Sequence, residues 1–195
     1  MTETIIETQP TTKAVDELLT VLQSFRKLAS RADDIASVLI DALARGNKVL
    51  TCGNGGSAAD ALHMAEELVG RYKTNRKALP AISLVADPTL LTCVSNDFGY
   101  EFVFSRQIEA LARPGDVVVA FSSSGNSANL LAALAAARNA HSIFVALLGK
   151  DGGVMAGKAD YEIIIPSNET ARIQEIHTLI LHSWLEQIES QPFCR

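Results

Sequence analysis

Short runs of apolar and β-branched residues alternate along this chain with longer segments whose apolar positions recur at helical spacing. Because the runs carry few polar residues, we interpret them as strands of a parallel sheet that is covered on both faces. Five such runs predict a doubly wound three-layer α/β/α sandwich, with ligands bound at the carboxyl ends of the strands. The predicted strands span residues 48–52, 81–85, 117–121, 143–148 and 161–165.

The segments with helical spacing lie between these strands and before the first of them. Residues 13–45 predict two helices, the second ended by Gly46, and their extra apolar face fits either subunit contacts or a core role. We predict a single domain over 1–195, with N-terminal helices in 1–46 and an α/β core in 47–190. The other predicted helices span 58–70, 89–95, 100–112, 127–139 and 169–190, with a short turn near 153–158.

Charge and cysteine content exclude several classes of protein. A net charge of −5 argues against a nucleic-acid partner, which would need a basic face. Three scattered cysteines form neither a disulfide framework nor a zinc-finger spacing, so a reducing cytoplasm is expected. The polar N-terminal residues 1–13 lack the pattern of a signal peptide, and no apolar run reaches the ~18 residues of a membrane span. We therefore expect a cytoplasmic protein without a membrane partner.

A glycine-rich turn, Gly53-Asn54-Gly55-Gly56-Ser57, joins the first predicted strand to a helix. A strand that turns through glycines into a helix leaves several backbone N–H groups unpaired and pointing at one place. The helix dipole adds partial positive charge there. This turn therefore predicts a phosphate site, held locally because the chain as a whole is acidic.

A second loop, Ser122-Ser123-Ser124-Gly125-Asn126-Ser127, also follows a strand and opens a helix. Its four hydroxyls and its helix N-terminus suit an anion. The alternative is an ordinary turn with a helix cap at Asn126 or Ser127. The density of serines favours phosphate binding, although neither loop has the Gly-Lys-Ser/Thr of a Walker loop or the spacing of a dinucleotide fingerprint.

Two further groups of polar residues are candidates for chemistry. His63 and Glu67 are spaced i,i+4 on the helix that starts at the first loop, and could bind a divalent metal or move protons. A solvated ion pair is the alternative. Near the C-terminus, Gln174, His177 and His182 interrupt an apolar helix, where each would need a buried partner.

The chain resembles the sugar isomerase (SIS) domain family, and within it the phosphoheptose isomerases. The stretches that carry the resemblance occur in family order from Asn47 to His182, and their combination is more specific than any single loop. They are CGNGGS, DALHMAEELVGRY, VSNDFGYEFVFSRQ, SSSGNSAN, GKDGG and RIQEIHTLILH.

The resemblance implies an aldose–ketose isomerase that converts sedoheptulose 7-phosphate to D-glycero-D-manno-heptose 7-phosphate through an enediol(ate), for surface polysaccharide. It implies a homotetramer with zinc held by His63, Glu67, Gln174 and His182, and with Glu67 and His182 as the acid–base pair. The residues that it places on the substrate are Asn54, Gly55, Gly56, Asn96, Asp97, Ser122, Ser123, Ser124, Ser127 and Gln174.

Two points leave alternatives open. Gln174 and His182 are separated by ~12 Å along a straight helix, so they either approach one ion from its two sides or need a neighbouring subunit to complete the site. Ala171 stands where several relatives carry an aspartate. The rival functions are a non-catalytic SIS module, which senses a sugar phosphate or associates with a replication initiator, and an isomerase of another sugar phosphate. The complete His/Glu/Gln/His set favours an enzyme.

Overall fold

The computed structural model describes residues 9–194, so residues 1–8 of the predicted polar N-terminal segment lie outside the described part. Five strands form one sheet in which every neighbouring pair is parallel, in the order β2-β1-β3-β4-β5. The strands are β1 Val49–Gly53, β2 Ala81–Ser83, β3 Val117–Ser122, β4 Ile143–Gly149 and β5 Tyr161–Ile165. All five were predicted, each within two residues at either end.

Seven α-helices surround this sheet within the described residues. Short 3-10 turns at Arg26–Leu28, Tyr100–Phe102, Gly153–Met155 and Pro192–Cys194 connect or end them. The helices are α1 Pro10–Phe25, α2 Ala29–Ala44, α3 Gly56–Val69, α4 Pro88–Phe98, α5 Ser105–Leu111, α6 Ala128–Asn139 and α7 Thr170–Glu189.

The side chains of each central strand alternate between two separate apolar clusters, as the strand pleat requires. On β3, Val117, Val119 and Phe121 pack with α1, α2, α3 and α7. Val118 and Ala120 point the other way and pack with α4, α5 and α6. Helices therefore cover both faces, and the predicted three-layer α/β/α sandwich is confirmed. The extent of the single domain stays a prediction.

The predicted helix over 100–112 is wrong as one continuous element. A 3-10 turn is followed by a break at Val103 and Phe104, and only then by α5. These two consecutive side chains are both buried, and they lie in a turn between the 3-10 segment and α5. Gln107 donates from Nε2 to the Val103 carbonyl oxygen at 2.8 Å, so this buried backbone group has a partner.

The N-terminal helices pack on the C-terminal one. The Trp184 indole of α7 is fully buried and donates to the Ala32 carbonyl oxygen of α2 at 2.8 Å. Gly46 ends the α2 segment with φ of +82°, the left-handed conformation that glycine adopts without strain, so its predicted role is confirmed. No helix in the described range 9–194 combines the length and apolar character that a membrane crossing requires.

The order of the strands reverses between β1 and β3, because the chain leaves β1 toward β2 on one side and reaches β3 on the other. In open parallel sheets such a reversal creates a crevice at the carboxyl ends of the two strands. The two loops predicted from the sequence to bind phosphate follow these two strands. The topology therefore brings them to one place.

At the opposite end of the sheet, the Asp116 carboxylate fastens the start of β3 to the start of β1. It accepts hydrogen bonds from the backbone N–H of Arg113 at 2.7 Å and of Lys48 at 2.9 Å, and it pairs with the Lys48 ammonium. Burial acts to raise the pKa of Asp116, but the bonds from Lys48 and Arg113 outweigh it and hold the pKa below its usual range.

We expect Asp116→Asn to lower the free energy of unfolding by ~1–3 kcal/mol at pH 7, because a charge-assisted acceptor is lost. Since the native pKa is depressed, the carboxylate stabilises the fold fully above its unfolded pKa of ~3.9 and loses this effect as the pH falls. The difference between the wild type and the variant in urea unfolding should therefore shrink below about pH 4. Asp41→Asn, which alters an exposed pair with Arg45, is the control. A difference that does not change with pH would contradict this role.

Candidate active site

The crevice at the carboxyl ends of β1 and β3 is a small polar cavity. Its volume is about 80 Å³, against the ~10–15 Å³ needed by one water molecule. Both predicted loops contribute to its wall, so the structure brings them together. The lining residues are Asn54, Ser57, Phe121, Ser122, Ser123, Ser124 and Ser127.

The serines of the second loop have different environments. Ser122 is buried, and its hydroxyl accepts the N–H of Gly125 at 3.0 Å, which closes the turn. Ser124 Oγ accepts from the Asn126 N–H at 3.3 Å. Ser127 occupies the N-cap position of α6, but its hydroxyl makes no capping hydrogen bond within the described residues. Ser127 therefore occupies the position that the helix-cap alternative predicts, but within residues 9–194 its hydroxyl does not make the hydrogen bond of a cap.

A second glycine-rich segment, residues 149–153, packs against the serine loop. Gly125 has φ of +64°, and a Cβ there would collide with the backbone carbonyl of Gly152. Asn126 Oδ1 in turn accepts the Val154 N–H at 3.0 Å. A Cβ on Gly153 would collide with the Ser124 carbonyl oxygen, so the close approach of the two segments accounts for Gly125 and for Gly153 of the GKDGG stretch.

The first loop enters α3 through two glycines with different constraints. Gly55 has φ of +58°, a conformation that strains any other residue. Gly56, the first residue of α3, lies against the side-chain amide of Gln174, which a Cβ would displace. Gln174 is thereby placed at the N-terminus of α3, beside the cavity.

Asn54 connects the two loops through its side chain. Its amide exchanges two hydrogen bonds of 2.9 Å with the amide of Asn129 in α6, and its Oδ1 also accepts the Tyr100 hydroxyl at 2.8 Å. Asn129 is buried and was not predicted as a site residue. The sequence offered one signal for Asn129, because it is a polar residue in the first turn of an otherwise apolar helix.

Asn96 and Asp97 lie at the exposed C-terminal end of α4. Their side chains are joined by a hydrogen bond of 2.8 Å, from Asn96 Nδ2 to Asp97 Oδ1. Among the hydrogen bonds of residues 9–194, none joins either side chain to the serine loop. Their predicted contact with the substrate stays a prediction.

Helices α3 and α7 lie side by side and point in the same direction. Three pairs of residues at successive turns meet across them. Gly56 contacts Gln174, the Thr178 hydroxyl donates to Asp60 at 2.9 Å, and His63 meets His182. The cavity is therefore at one end of this helix pair, and the histidines lie two turns further along it.

His63, Glu67 and His182 form one cluster at that further position. The two histidine Nε2 atoms are 3.4 Å apart, and His63 Nε2 is 3.5 Å from a Glu67 carboxylate oxygen. Burial and then the nearby His63 lower the pKa of His182, while Glu67 acts in the opposite direction. A neutral imidazole is the form that binds a metal or accepts a proton.

The distance between the two histidine nitrogens matches that between two ligands of one metal ion. Two nitrogens bound tetrahedrally to one ion at ~2.0–2.1 Å lie about 3.3–3.4 Å from each other. The ligand atoms of His63, Glu67 and the exposed neighbour Glu66 also lie within 4.8 Å of one another. The chain therefore presents a possible metal-binding group that contains two of the four predicted ligands, His63 and Glu67. A third predicted ligand, His182, lies beside it, with its Nε2 3.4 Å from that of His63.

Gln174 does not join this cluster within the chain. It lies ~12 Å before His182 along α7, facing Gly56 rather than His63. Its placement fits the predicted contact with substrate at the cavity. Its role as a metal ligand stays a prediction, as does completion of the site by a neighbouring subunit.

His177 is a core residue rather than part of the site. It is fully buried, and its Nε2 lies 3.2 Å from the Leu148 carbonyl oxygen. Burial lowers the pKa of His177 to about 4, so the imidazole is neutral at physiological pH. This agrees with the more common role of a histidine on an apolar helix.

Comparison with known proteins assigns the family. A model of the SIS domain matches residues 14–149. The phosphoheptose isomerase of Paramagnetospirillum magneticum is 54% identical over 156 residues, covering 80% of this chain and 81% of that protein. That of Citrifermentans bemidjiense is 46% identical over 191 residues, 98% of each chain. The structure of phosphoheptose isomerase GmhA from Neisseria gonorrhoeae matches with a TM-score of 0.88 and 39% identity, covering 93% and 97%.

This chain belongs to the phosphoheptose isomerase family of SIS-domain proteins. The resemblance inferred from the motifs is thereby confirmed. Ala171, where we expected several relatives to carry an aspartate, is exposed in the first turn of α7, three residues before Gln174.

Two further residues that sequence reasoning did not predict lie beside the candidate site of this phosphoheptose isomerase. Asp60 lies between the cavity and the histidine cluster, and its Oδ2 has no hydrogen-bond partner within the described residues. Burial raises the pKa of Asp60, against the hydrogen bond from Thr178 and the charge of His63. Tyr72 stacks on the His182 ring. Asp60 could have been noticed because it is an acidic residue on the buried face of α3. Tyr72 lies beyond the end of α3, and no sequence pattern pointed to it.

We expect Ser127→Ala to weaken the binding of inorganic phosphate by ~10-fold or more, because a donor to an anion is lost. Thermal stability should change little, since this hydroxyl makes no cap bond in the described residues. Ser122→Ala is the matched comparison, and it should lower the melting temperature because Ser122 closes the turn. Unchanged phosphate affinity in Ser127→Ala would remove Ser127 from the anion site.

Proposed function

We propose that this protein converts sedoheptulose 7-phosphate to D-glycero-D-manno-heptose 7-phosphate, an aldose–ketose isomerisation that supplies heptose for surface polysaccharide. The names and identities of its relatives support this reaction. The observation that carries it is the placement of a His63–Glu67–His182 cluster and a hydroxyl-lined cavity along the same pair of parallel helices.

The cavity would hold the phosphate end of the substrate. Its hydroxyls and the N-termini of α3 and α6 supply donors and partial positive charge without a net positive protein. His63 is ~10 Å further along α3 than Gly56. A chain-like sugar phosphate lying along the helix pair would place its carbonyl end at the histidine cluster.

Isomerisation moves a proton from the carbon beside the carbonyl to the neighbouring carbon through an enediol(ate). Glu67 would act as the base, because its carboxylate is largely enclosed and lies beside His63. His182 would act as the partner acid that donates to and accepts from the substrate oxygen. A positioned base or acid contributes ~10²–10⁴ in rate.

The metal-binding group would hold zinc through His63, Glu67 and His182, with Gln174 or a residue of another subunit as the remaining ligand. When bound, zinc supplies Lewis-acid polarisation of the substrate carbonyl. Two imidazoles and one carboxylate are a donor set typical of catalytic zinc sites with an open position.

A homotetramer in the cytoplasm is part of the same proposal. Val15 and Leu19 on α1, both about half exposed, support subunit contacts through the N-terminal helices. Completion of the metal site by a second subunit would make assembly necessary for activity. Both the tetramer and the location stay predictions.

The reaction itself is tested by incubating the purified protein with sedoheptulose 7-phosphate, with and without added zinc, and detecting the aldose product. Formation of the seven-carbon aldose phosphate is expected, faster with zinc. Binding of the sugar phosphate without turnover would favour the non-catalytic module. Turnover of only a shorter sugar phosphate would favour an isomerase of another substrate class.

We expect Glu67→Gln to lower kcat by ~10² or more with the fold retained, because the amide keeps the shape of the side chain but cannot accept the proton. Glu109→Gln on the exposed surface of α5 is the control and should be active. Circular dichroism checks the fold of both variants. A folded Glu67→Gln protein with nearly normal turnover would exclude Glu67 as the base.

We expect zinc to bind stoichiometrically to the wild type and to be lost from His63→Ala and His182→Ala, since each removes a nitrogen ligand. His141→Asn, in the turn between α6 and β4, is the control and should keep its zinc. Elemental analysis of the four proteins gives the result. Equal zinc content in all of them would assign the two histidines to a structural role.

A further inference from the structure

The segment that follows α3 contacts the histidine cluster through Tyr72. The Tyr72 and His182 rings are stacked, with centroids 5.4 Å apart and planes inclined by 26°. His63 meets the same imidazole edge-on, with a centroid distance of 4.9 Å and an angle of 81°. We propose that Tyr72 is a positioning residue, which fixes the orientation of the His182 imidazole, and that the buried Arg76–Glu189 pair in turn fixes Tyr72.

The orientation of His182 needs such a restraint. The second side-chain torsion of histidine has a broad energy profile, so α7 alone does not determine where Nε2 points. An aromatic ring stacked on the imidazole face hinders rotation about this torsion. With Tyr72 on its face and His63 at its edge, the His182 ring presents Nε2 toward His63 at 3.4 Å.

Tyr72 is held through its backbone rather than through its hydroxyl. The Glu189 carboxylate, at the last residue of α7, accepts three consecutive backbone N–H groups: Tyr72 at 3.3 Å, Lys73 at 3.0 Å and Thr74 at 3.0 Å. Burial acts to raise the pKa of Glu189, but these bonds outweigh it and hold the pKa below its usual value. The carboxylate therefore stays ionised and fixes the segment over α7.

Arg76 connects this carboxylate to the end of α3. Its guanidinium donates to the Glu67 carbonyl oxygen at 2.6 Å and to the Leu68 carbonyl oxygen at 2.9 Å, and its Nε lies 3.4 Å from Glu189 Oε1. The Arg76 and Glu189 side chains are only 3% and 7% exposed. A buried pair with further partners on both sides is costly to disrupt and well suited to fixing geometry.

This chain of contacts links the two sides of the cluster. Arg76 holds the backbone of Glu67 on α3, and Glu189 holds the segment whose Tyr72 covers His182 on α7. Outer contacts that orient metal ligands are typically worth 10–100-fold in metal affinity or activity. Because His182 is a proposed zinc ligand and acid, this inference rests on the proposed function.

The first test compares Tyr72→Leu and Tyr72→Phe. Leucine keeps apolar contact with the core but removes the stacked ring, whereas phenylalanine keeps the ring. Zinc dissociation constants are measured by competition with a chromophoric chelator. We expect Tyr72→Leu to bind zinc ~10–100-fold more weakly and Tyr72→Phe to remain within about twofold of the wild type.

Tyr161→Leu is the control, because Tyr161 is an exposed tyrosine on the edge strand β5 and stacks on no histidine within residues 9–194. It should bind zinc like the wild type. Equal zinc affinity in Tyr72→Leu and Tyr161→Leu, with both proteins folded, would overturn the proposal. A loss in Tyr72→Phe as large as in Tyr72→Leu would also overturn it, since the hydroxyl and not the stacked ring would then matter.

Turnover gives a second readout. For a positioning role, kcat of Tyr72→Leu should fall ~10-fold or more while KM changes little, because the phosphate cavity is untouched. A rise in KM alone would assign Tyr72 to substrate binding and overturn the positioning role. If the wild type binds zinc but does not turn over the heptose phosphate, the proposed reaction fails while the zinc comparison still decides the role of Tyr72.

The second test asks whether Glu189 acts through Tyr72, and it also covers the case in which Tyr72→Leu does not fold. Glu189→Gln keeps Tyr72 in the chain but replaces the carboxylate that holds its segment with an uncharged amide, which is a weaker acceptor. We expect Glu189→Gln to lose several-fold in zinc affinity, and the double variant with Tyr72→Leu to lose no more than Tyr72→Leu alone. Additive losses, or wild-type affinity in Glu189→Gln, would overturn the coupling.

Discussion

The parallel packing of α3 against α7 is the constraint on which the site depends. These helices are separated by about a hundred residues in the chain, and neither carries a complete site by itself. Contacts at three successive turns fix their register, with glycine against glutamine, aspartate against threonine and histidine against histidine. A slip by one turn would move the His182 imidazole ~5.4 Å away from His63 and disperse the cluster.

The strand order supplies the other half of the arrangement. Because the order reverses between β1 and β3, the glycine loop and the serine loop face each other across one crevice. Helix α3 starts in that crevice and ends beside Glu67 and the Arg76–Glu189 pair. One helix therefore connects the proposed anion site at its N-terminus to the proposed acid–base residues further along it. Such an arrangement would let an acidic chain hold a phosphate by local dipoles and hydroxyls.

Several polar residues have structural roles that resemble catalytic ones in sequence. Ser122 looks like its neighbours in the serine loop, yet its hydroxyl accepts a bond from the turn that it closes. His177 lies five residues before His182 on the same helix, yet it is buried against the Leu148 carbonyl. The Asn54 side-chain amide is hydrogen-bonded to Asn129 and Tyr100. In each case the distinction depends on which group lies opposite, and for His177 and Asn54 that group comes from a distant part of the chain.

The sequence by itself determined the five strands, the layers and the positions of the glycine loop and the serine loop, because apolar runs, helical spacing and glycine turns are local patterns. It also placed His63 and Glu67 on one helical face, since i,i+4 spacing is a property of a single helix. Only the tertiary structure decided that His182 joins them while Gln174 contacts Gly56 two turns away. It also decided that Val103 and Phe104 interrupt a helix and that Tyr72 covers His182. These outcomes depend on contacts between segments far apart in the chain, whose register is set by packing that no local pattern encodes.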